Sequence, residues 1–238
     1  MKEILRYIKE SAIGCYKNLK EISIAFLFFY FSNLIALSII FFKNKSVAVI
    51  LSYGIIITSV AIVISLIGYG FVGEWARSVL KNKNLPKFKV IFPFLSTGFL
   101  MSIISFVYLL IGYIPIIVLA TLTIILRKNL FVIYPAILTM VWMAFFAYFL
   151  IGANLNFLKA GRVKKGFAIK EISKRIFRLK FLIVILISAV ANSIPMLLGF
   201  ILKVQEFAQI IVGKAIITYI NTFCLIFSAG LLARTFKK

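Results

Sequence analysis

The chain has 238 residues, of which 63% are hydrophobic and 14% charged, with a mean hydropathy of +1.10. Soluble chains carry about 45–50% apolar and about 25% charged residues, so a soluble globular domain is excluded. Twenty-eight Lys and Arg stand against six acids, all Glu, and His and Asp are absent, which gives a net charge of +22.

In chain order, residues 1–20 come first and are basic. Ile4, Ile8, Ala12, Tyr16 and Leu19 recur there at helical spacing, which predicts an amphipathic helix lying at the headgroup level. Uncharged runs over 22–42 and 47–73 follow, each long enough to cross a ~30 Å hydrocarbon core. Residues 74–97 form a second basic segment, within which 88–97 are expected to lie along the interface. The third span is expected over 98–122, with Pro115 inside it. The fourth covers 130–157 and contains Pro135. A third basic segment, 159–180, repeats the amphipathic pattern at about Ala168–Leu179, with Ile169, Ile172, Ile176 and Leu179 on one face. The fifth span covers 181–202 and contains Pro195, and the sixth covers 215–233. Each proline removes one backbone hydrogen bond and is expected to kink its helix.

With six crossings, 22 of the 28 basic residues fall on one side and six on the other. The positive-inside rule then places both termini in the cytoplasm of a cell-membrane protein. The fold class expected is all-α. It is a polytopic membrane helix bundle of six transmembrane helices, with interfacial amphipathic helices on the cytoplasmic side, forming one domain over 1–238. The three basic segments with the hairpins after them suggest three similar units. The first apolar run is longer than a signal-peptide core and no A-x-A site follows, so it reads as a retained span.

Catalysis is excluded largely by inventory. Without His or Asp there is no Ser-His-Asp triad, no zinc-binding HExxH and no aspartyl dyad. No metal, no cofactor and no nucleic-acid partner is expected, because the charges fill gaps between apolar runs. Cys15 and Cys224 form no CxxC and read as small buried hydrophobes. Gly68-Tyr69-Gly70-Phe71-Val72-Gly73 has the spacing GxGxxG, but it ends an apolar helix and no acid follows about 20 positions on. Its glycines are therefore expected to let helices pack closely.

Mid-span polarity is carried by Asn33, Asn154, Asn156, Asn192, Ser193 and Asn221. Interhelical hydrogen bonding is the plainer account of them. A solute path past the breaks at Pro115, Pro135 and Pro195 is the alternative. Lys164, Lys165, Lys170, Lys174, Arg175 and Arg178 are the expected contacts to anionic lipid headgroups in the bilayer.

Two stretches carry a resemblance. GYGFVGEWARSVLKNKNLPKFKVIFPFLSTGF (Gly68–Phe99) and NLNFLKAGRVKKGFAIKEISKRI (Asn154–Ile176) resemble the two cytoplasmic segments of an uncharacterised family. That family comprises archaeal and bacterial multi-pass membrane proteins, marked by a Gly-Tyr … Arg … Leu-Pro-x-Phe pattern. The acidic residues usual after Leu-Pro-x-Phe are replaced here by Lys89 and Val90. The resemblance implies location and topology and assigns no activity. The function expected is a non-enzymatic membrane scaffold or partner subunit that contacts anionic lipid. The alternative is a transporter or permease subunit for a small solute or lipid. The sequence names no protein partner and fixes no oligomeric state.

Overall fold

The computed structural model describes the backbone of residues 2–38, 47–126, 133–201 and 207–237. The described residues form eight α-helices in the order α1 Lys2–Lys17, α2 Leu19–Ser38, α3 Val47–Lys81, α4 Phe92–Leu126, α5 Ile133–Ala160, α6 Ile169–Ile176, α7 Leu179–Ile201 and α8 Phe207–Lys237. One 3-10 turn, Val163–Phe167, joins α5 to α6. The expected outer loops, with Lys43, Lys45, Arg127, Lys128, Lys203 and Glu206, lie outside the described residues, as does the end of the first expected span.

Five helical stretches are long and apolar enough to cross a membrane: Tyr53–Lys81, Phe92–Val118, Leu138–Ala160, Leu179–Gly199 and Gly213–Lys237. Large apolar side chains such as Ile55, Phe106 and Val190 are more than 60% exposed along them. A surface this apolar needs a lipid or protein cover. The first expected span lies on α2, which is not among the five.

The chain divides into two compact units, 1–99 with 179–238, and 100–178. In the first unit α8 is the central helix, packed against α1, α2, α3 and α7. The α2 helix runs antiparallel along α3. The Ser32 hydroxyl donates to the Ala61 carbonyl at 2.9 Å and lies 2.6 Å from the Ser65 hydroxyl. Small residues and hydroxyls at such seams let helices approach and bond where burial of apolar surface offers no net gain. The second unit is a hairpin of α4 and α5. Trp142 Nε1 donates to the Gly112 carbonyl at 3.0 Å, one turn before Pro115, and Asn154 Nδ2 donates to Ser105 Oγ at 3.3 Å.

Several expectations need correction. Residues 88–97 are not a separate interfacial piece. Residues 82–91 are non-helical and α4 begins at Phe92, so Pro93 sits in its first turn, where a missing N–H costs nothing. The third span accordingly starts before Gly98, and the second basic segment is helical through Lys81. Pro135 is the third described residue of α5, and α4 and α7 run through Pro115 and Pro195. On α1 the buried face is Ile4, Tyr7, Ser11 and Cys15, while Ala12, Tyr16 and Leu19 are exposed. The helix is there, but its partner α8 selects a face one position round from the most apolar stripe.

The glycine reading holds. Gly70 and Gly98 bring the α3 and α4 backbones into contact. A methyl group on Gly70 would overlap the Phe94 carbonyl oxygen and lie 2.9 Å from the Gly98 nitrogen. Gly68 lies under the Phe29 ring.

Candidate functional site

One end of the first unit collects the basic segments. Arg234, near the end of α8, donates from Nε to Glu10 at 3.2 Å and from Nη1 to the Ser11 hydroxyl at 3.1 Å, which fastens α1 to α8. Lys180, at the start of α7, donates to Glu3 at 2.5 Å. The loop after α3 is held by the Phe88 N–H, which donates to Glu21 Oε2 at 3.0 Å. Arg77 pairs with Glu74, which also accepts from the Thr97 hydroxyl at 2.5 Å. The charged residues of 1–20, of 74–97 and of the end of α8 therefore meet at one end of this unit.

The Leu85-Pro86-Lys87-Phe88 stretch is what closes that end. The Phe88 ring lies 4.5 Å from Phe71, 4.8 Å from Phe94 and 5.6 Å from Phe28, centroid to centroid. Trp75, 2% exposed, sits below this cluster, with Gly14 of α1 and Gly230 of α8 against its indole. Cys15 is fully buried in the same core. Burial pushes its thiol up to about 12, against the opposing pull of Arg234, so it stays protonated and unreactive at neutral pH. Cys224 is buried as well, so both cysteines are the small apolar fillers expected.

In the second unit, the basic segment folds back onto α5. Ile172 and Ile176 are fully buried, and their methyl groups press on Gly152. Tyr148 donates to the Ile176 carbonyl, and Tyr108 to the Gly166 carbonyl at 3.0 Å. Ile169 and Leu179 are 61% and 72% exposed, so the expected apolar face divides between the hairpin and the surroundings. Leu179 also begins α7 rather than ending the basic helix. Of the six expected lipid contacts, Lys164, Lys170, Lys174 and Arg178 are exposed. Lys165 is paired with Glu171, and Arg175 is half-buried. The Lys165 ammonium and then the Asn156 amide hold the Glu171 carboxyl below its usual range.

The six polar residues are divided between the two units. Asn154 and Asn156 belong to the second unit, where Asn156, 2% exposed, donates to the Lys165 carbonyl at 2.7 Å and fixes the turn after α5. Asn192 belongs to the first unit and donates to the Ser188 carbonyl at 2.8 Å and to Ser228 Oγ at 3.0 Å, across the α7–α8 seam. Among the described residues, Ser193 donates to the Val190 carbonyl of its own helix at 2.8 Å. Asn33, Asn192 and Asn221 do converge, with Pro195, Lys214 and Thr218, on a cleft of about 530 Å³. A separate cleft, of about 620 Å³ and almost wholly apolar, lies in the second unit and is lined by Phe145, Phe149 and Phe177 among others.

The model of one protein family, described as a protein of unknown function (DUF4013), matches residues 50–204, well over half of the chain. The chain belongs to this family. Both resembling stretches, Gly68–Phe99 and Asn154–Ile176, fall inside the match, and in the DUF4013 fold seen here they are the two segments that fold back against their helices. No curated protein and no solved structure matches the chain. Sequence reasoning passed over Arg234, Glu10, Trp75 and Phe88. Only the Leu-Pro-x-Phe pattern gave a signal for any of them.

Proposed function

We propose that this DUF4013 protein is a non-enzymatic component of the cell membrane. In this reading it crosses six times with both termini cytoplasmic, holds anionic lipid against its basic segments, and acts as a scaffold or partner subunit. The observation that carries the reading is the gathering of α1, the α3–α4 loop, the start of α7 and the end of α8 at one end. There Glu3, Glu10, Glu21 and Glu74 are each committed to an internal contact, so the basic surplus faces outward. In the second unit, taken by itself, Lys164, Lys170, Lys174 and Arg178 are exposed as well. Each such residue near an anionic surface contributes about 1 kcal/mol, screened by salt.

The test is lipid retention. Protein reconstituted in mixed phosphatidylcholine and phosphatidylglycerol should keep more phosphatidylglycerol on detergent extraction. The excess should shrink with salt and with the combined Lys164→Gln, Lys170→Gln, Lys174→Gln and Arg178→Gln changes. Equal retention of both lipids refutes the reading. The antiparallel course of α2 along α3 supports the sixth crossing. Asn44→Cys and Asn129→Cys should then react with an impermeant maleimide in intact cells, and Lys83→Cys and Lys165→Cys should not. External labelling at position 165 removes the topology.

Transport of a small solute is favoured by one feature, the cleft where Asn33, Asn192, Asn221 and Lys214 meet at Pro195. In that reading Asn192→Leu abolishes uptake into proteoliposomes while the protein stays folded. As a scaffold, the protein loses only a seam hydrogen bond, about 0.6–2 kcal/mol.

A further inference from the structure

The helix α1, the end of α3 and the end of α8 enclose a second polar cleft of about 530 Å³, whose lining includes Arg6, Glu10, Asn82, Lys83, Arg234 and Lys237. The cleft's cations lie on the basic segments read above as facing lipid, but none is among the six residues named there individually. Glu10 bridges two guanidiniums, at 3.6 Å from Arg6 Nε and 3.2 Å from Arg234 Nε. Arg234 is also anchored to the Gly230 carbonyl at 3.2 Å, and its side chain is 20% exposed, so its charge is held in place before any ligand arrives. Lys83 is brought to the cleft by the way α3 ends. Asn82 takes the left-handed conformation, φ 53°, and the Lys83 N–H returns to the Ser78 carbonyl at 2.9 Å. Asparagine is one of the few residues other than glycine that adopts this conformation readily.

Four cations against one carboxylate give the lining a net charge of +3. The C-terminal ends of α3 and α8 each bring about half a negative charge. A surplus of about two positive charges remains, enough to balance one phosphate group, whether a singly charged phosphodiester headgroup or a free phosphate of about −1.5 to −2.

We propose that this cleft binds a single phosphate group, carried by a lipid headgroup or by a free phosphate. The proposal deepens the anionic-lipid reading above and rests on it for the lipid source. Basic pockets between membrane helices are suited to such headgroups, because a fixed guanidinium gives phosphate paired hydrogen bonds as well as charge.

The experiment is calorimetric titration of the full chain in neutral detergent, with dihexanoyl phosphatidylglycerol in one arm and inorganic phosphate in the other. The Arg6→Gln/Lys83→Gln double variant changes exposed side chains, and the Lys170→Gln/Lys174→Gln variant is the comparator. We expect one site per chain, weakened about thirtyfold in the first variant and unchanged in the comparator. Binding of the lipid alone identifies a headgroup site, and equal binding of inorganic phosphate identifies a free-phosphate site. Unaltered binding by Arg6→Gln/Lys83→Gln overturns the proposal. A lower melting temperature with unaltered binding does too, since the cations then serve only to offset the helix ends. In either case lipid enrichment in the retention assay leaves the broader reading standing. No binding of either probe by the parent chain also overturns the proposal.

Discussion

Alanine at Gly70 is expected to cost about 3 kcal/mol or more and to deplete folded protein from the membrane. The added methyl group has no flexible side chain to displace. It meets the Phe94 carbonyl and the Gly98 nitrogen, so relief requires α3 and α4 to separate along a whole turn. The same change at Gly54, on the same helix, meets nothing within 4 Å. There alanine should be neutral or stabilise by up to about 1 kcal/mol, because glycine is the poorer helix former. Thermal melting in detergent of the two variants side by side is the measurement. Equal melting temperatures would show that α3 and α4 do not touch at this point.

Phe88→Ala is expected to have the next largest effect, about 2–3 kcal/mol. Removing a buried phenylalanine costs about 3–5 kcal/mol, and Phe88 is only half-buried. Its ring is the shared neighbour of Phe28, Phe71 and Phe94, so all three lose their cover together. The Glu21 bond to the Phe88 N–H survives the truncation but no longer closes a packed cluster. The loop should open before the bundle does. Trypsin should then cut after Lys83, Lys87 or Lys89 under conditions that leave the parent chain intact. Phe88→Leu keeps most of the apolar contact and should be cut far more slowly. An unchanged digestion pattern in Phe88→Ala would mean that the ring does not hold the loop.

The long helices were legible because an apolar run of 20 residues is a physical length, set by the thickness of hydrocarbon. Their ends were less so. Glu74 and Arg77 fall in the basic segment expected after the second span, yet α3 continues past them, where they bond each other and Thr97. The buried face of α1 was hidden for a related reason. It pairs Ser11 and Cys15 with an arginine and a tryptophan, and hydrophobic periodicity does not register small or polar contacts. For the amides, residue type alone does not separate a seam bond from a cleft wall. Asn156 fixes a turn and Asn221 lines a space, and only the neighbouring helix makes the difference. The pattern Leu-Pro-x-Phe was visible as a pattern. Its role needed three other rings, from α2, α3 and α4.

The central place of α8 has a consequence for biogenesis. Residues 100–178 form a unit that is contiguous in sequence, so it is complete as soon as it has left the ribosome. The other unit is assembled from both ends of the chain. Its α1, α2 and α3 are made first, yet Trp75 and the seam around it await Gly230, Ile226 and Arg234 from the last helix synthesised. Until translation ends, that groove is open in the bilayer. The nascent protein is therefore expected to pass through a stage in which the face of these helices that later receives α8 is uncovered. A premature stop before α8 would leave α1, α2, α3 and α7 without the helix against which all four pack, and is expected to yield a substrate for membrane quality control rather than a shorter version of the same protein.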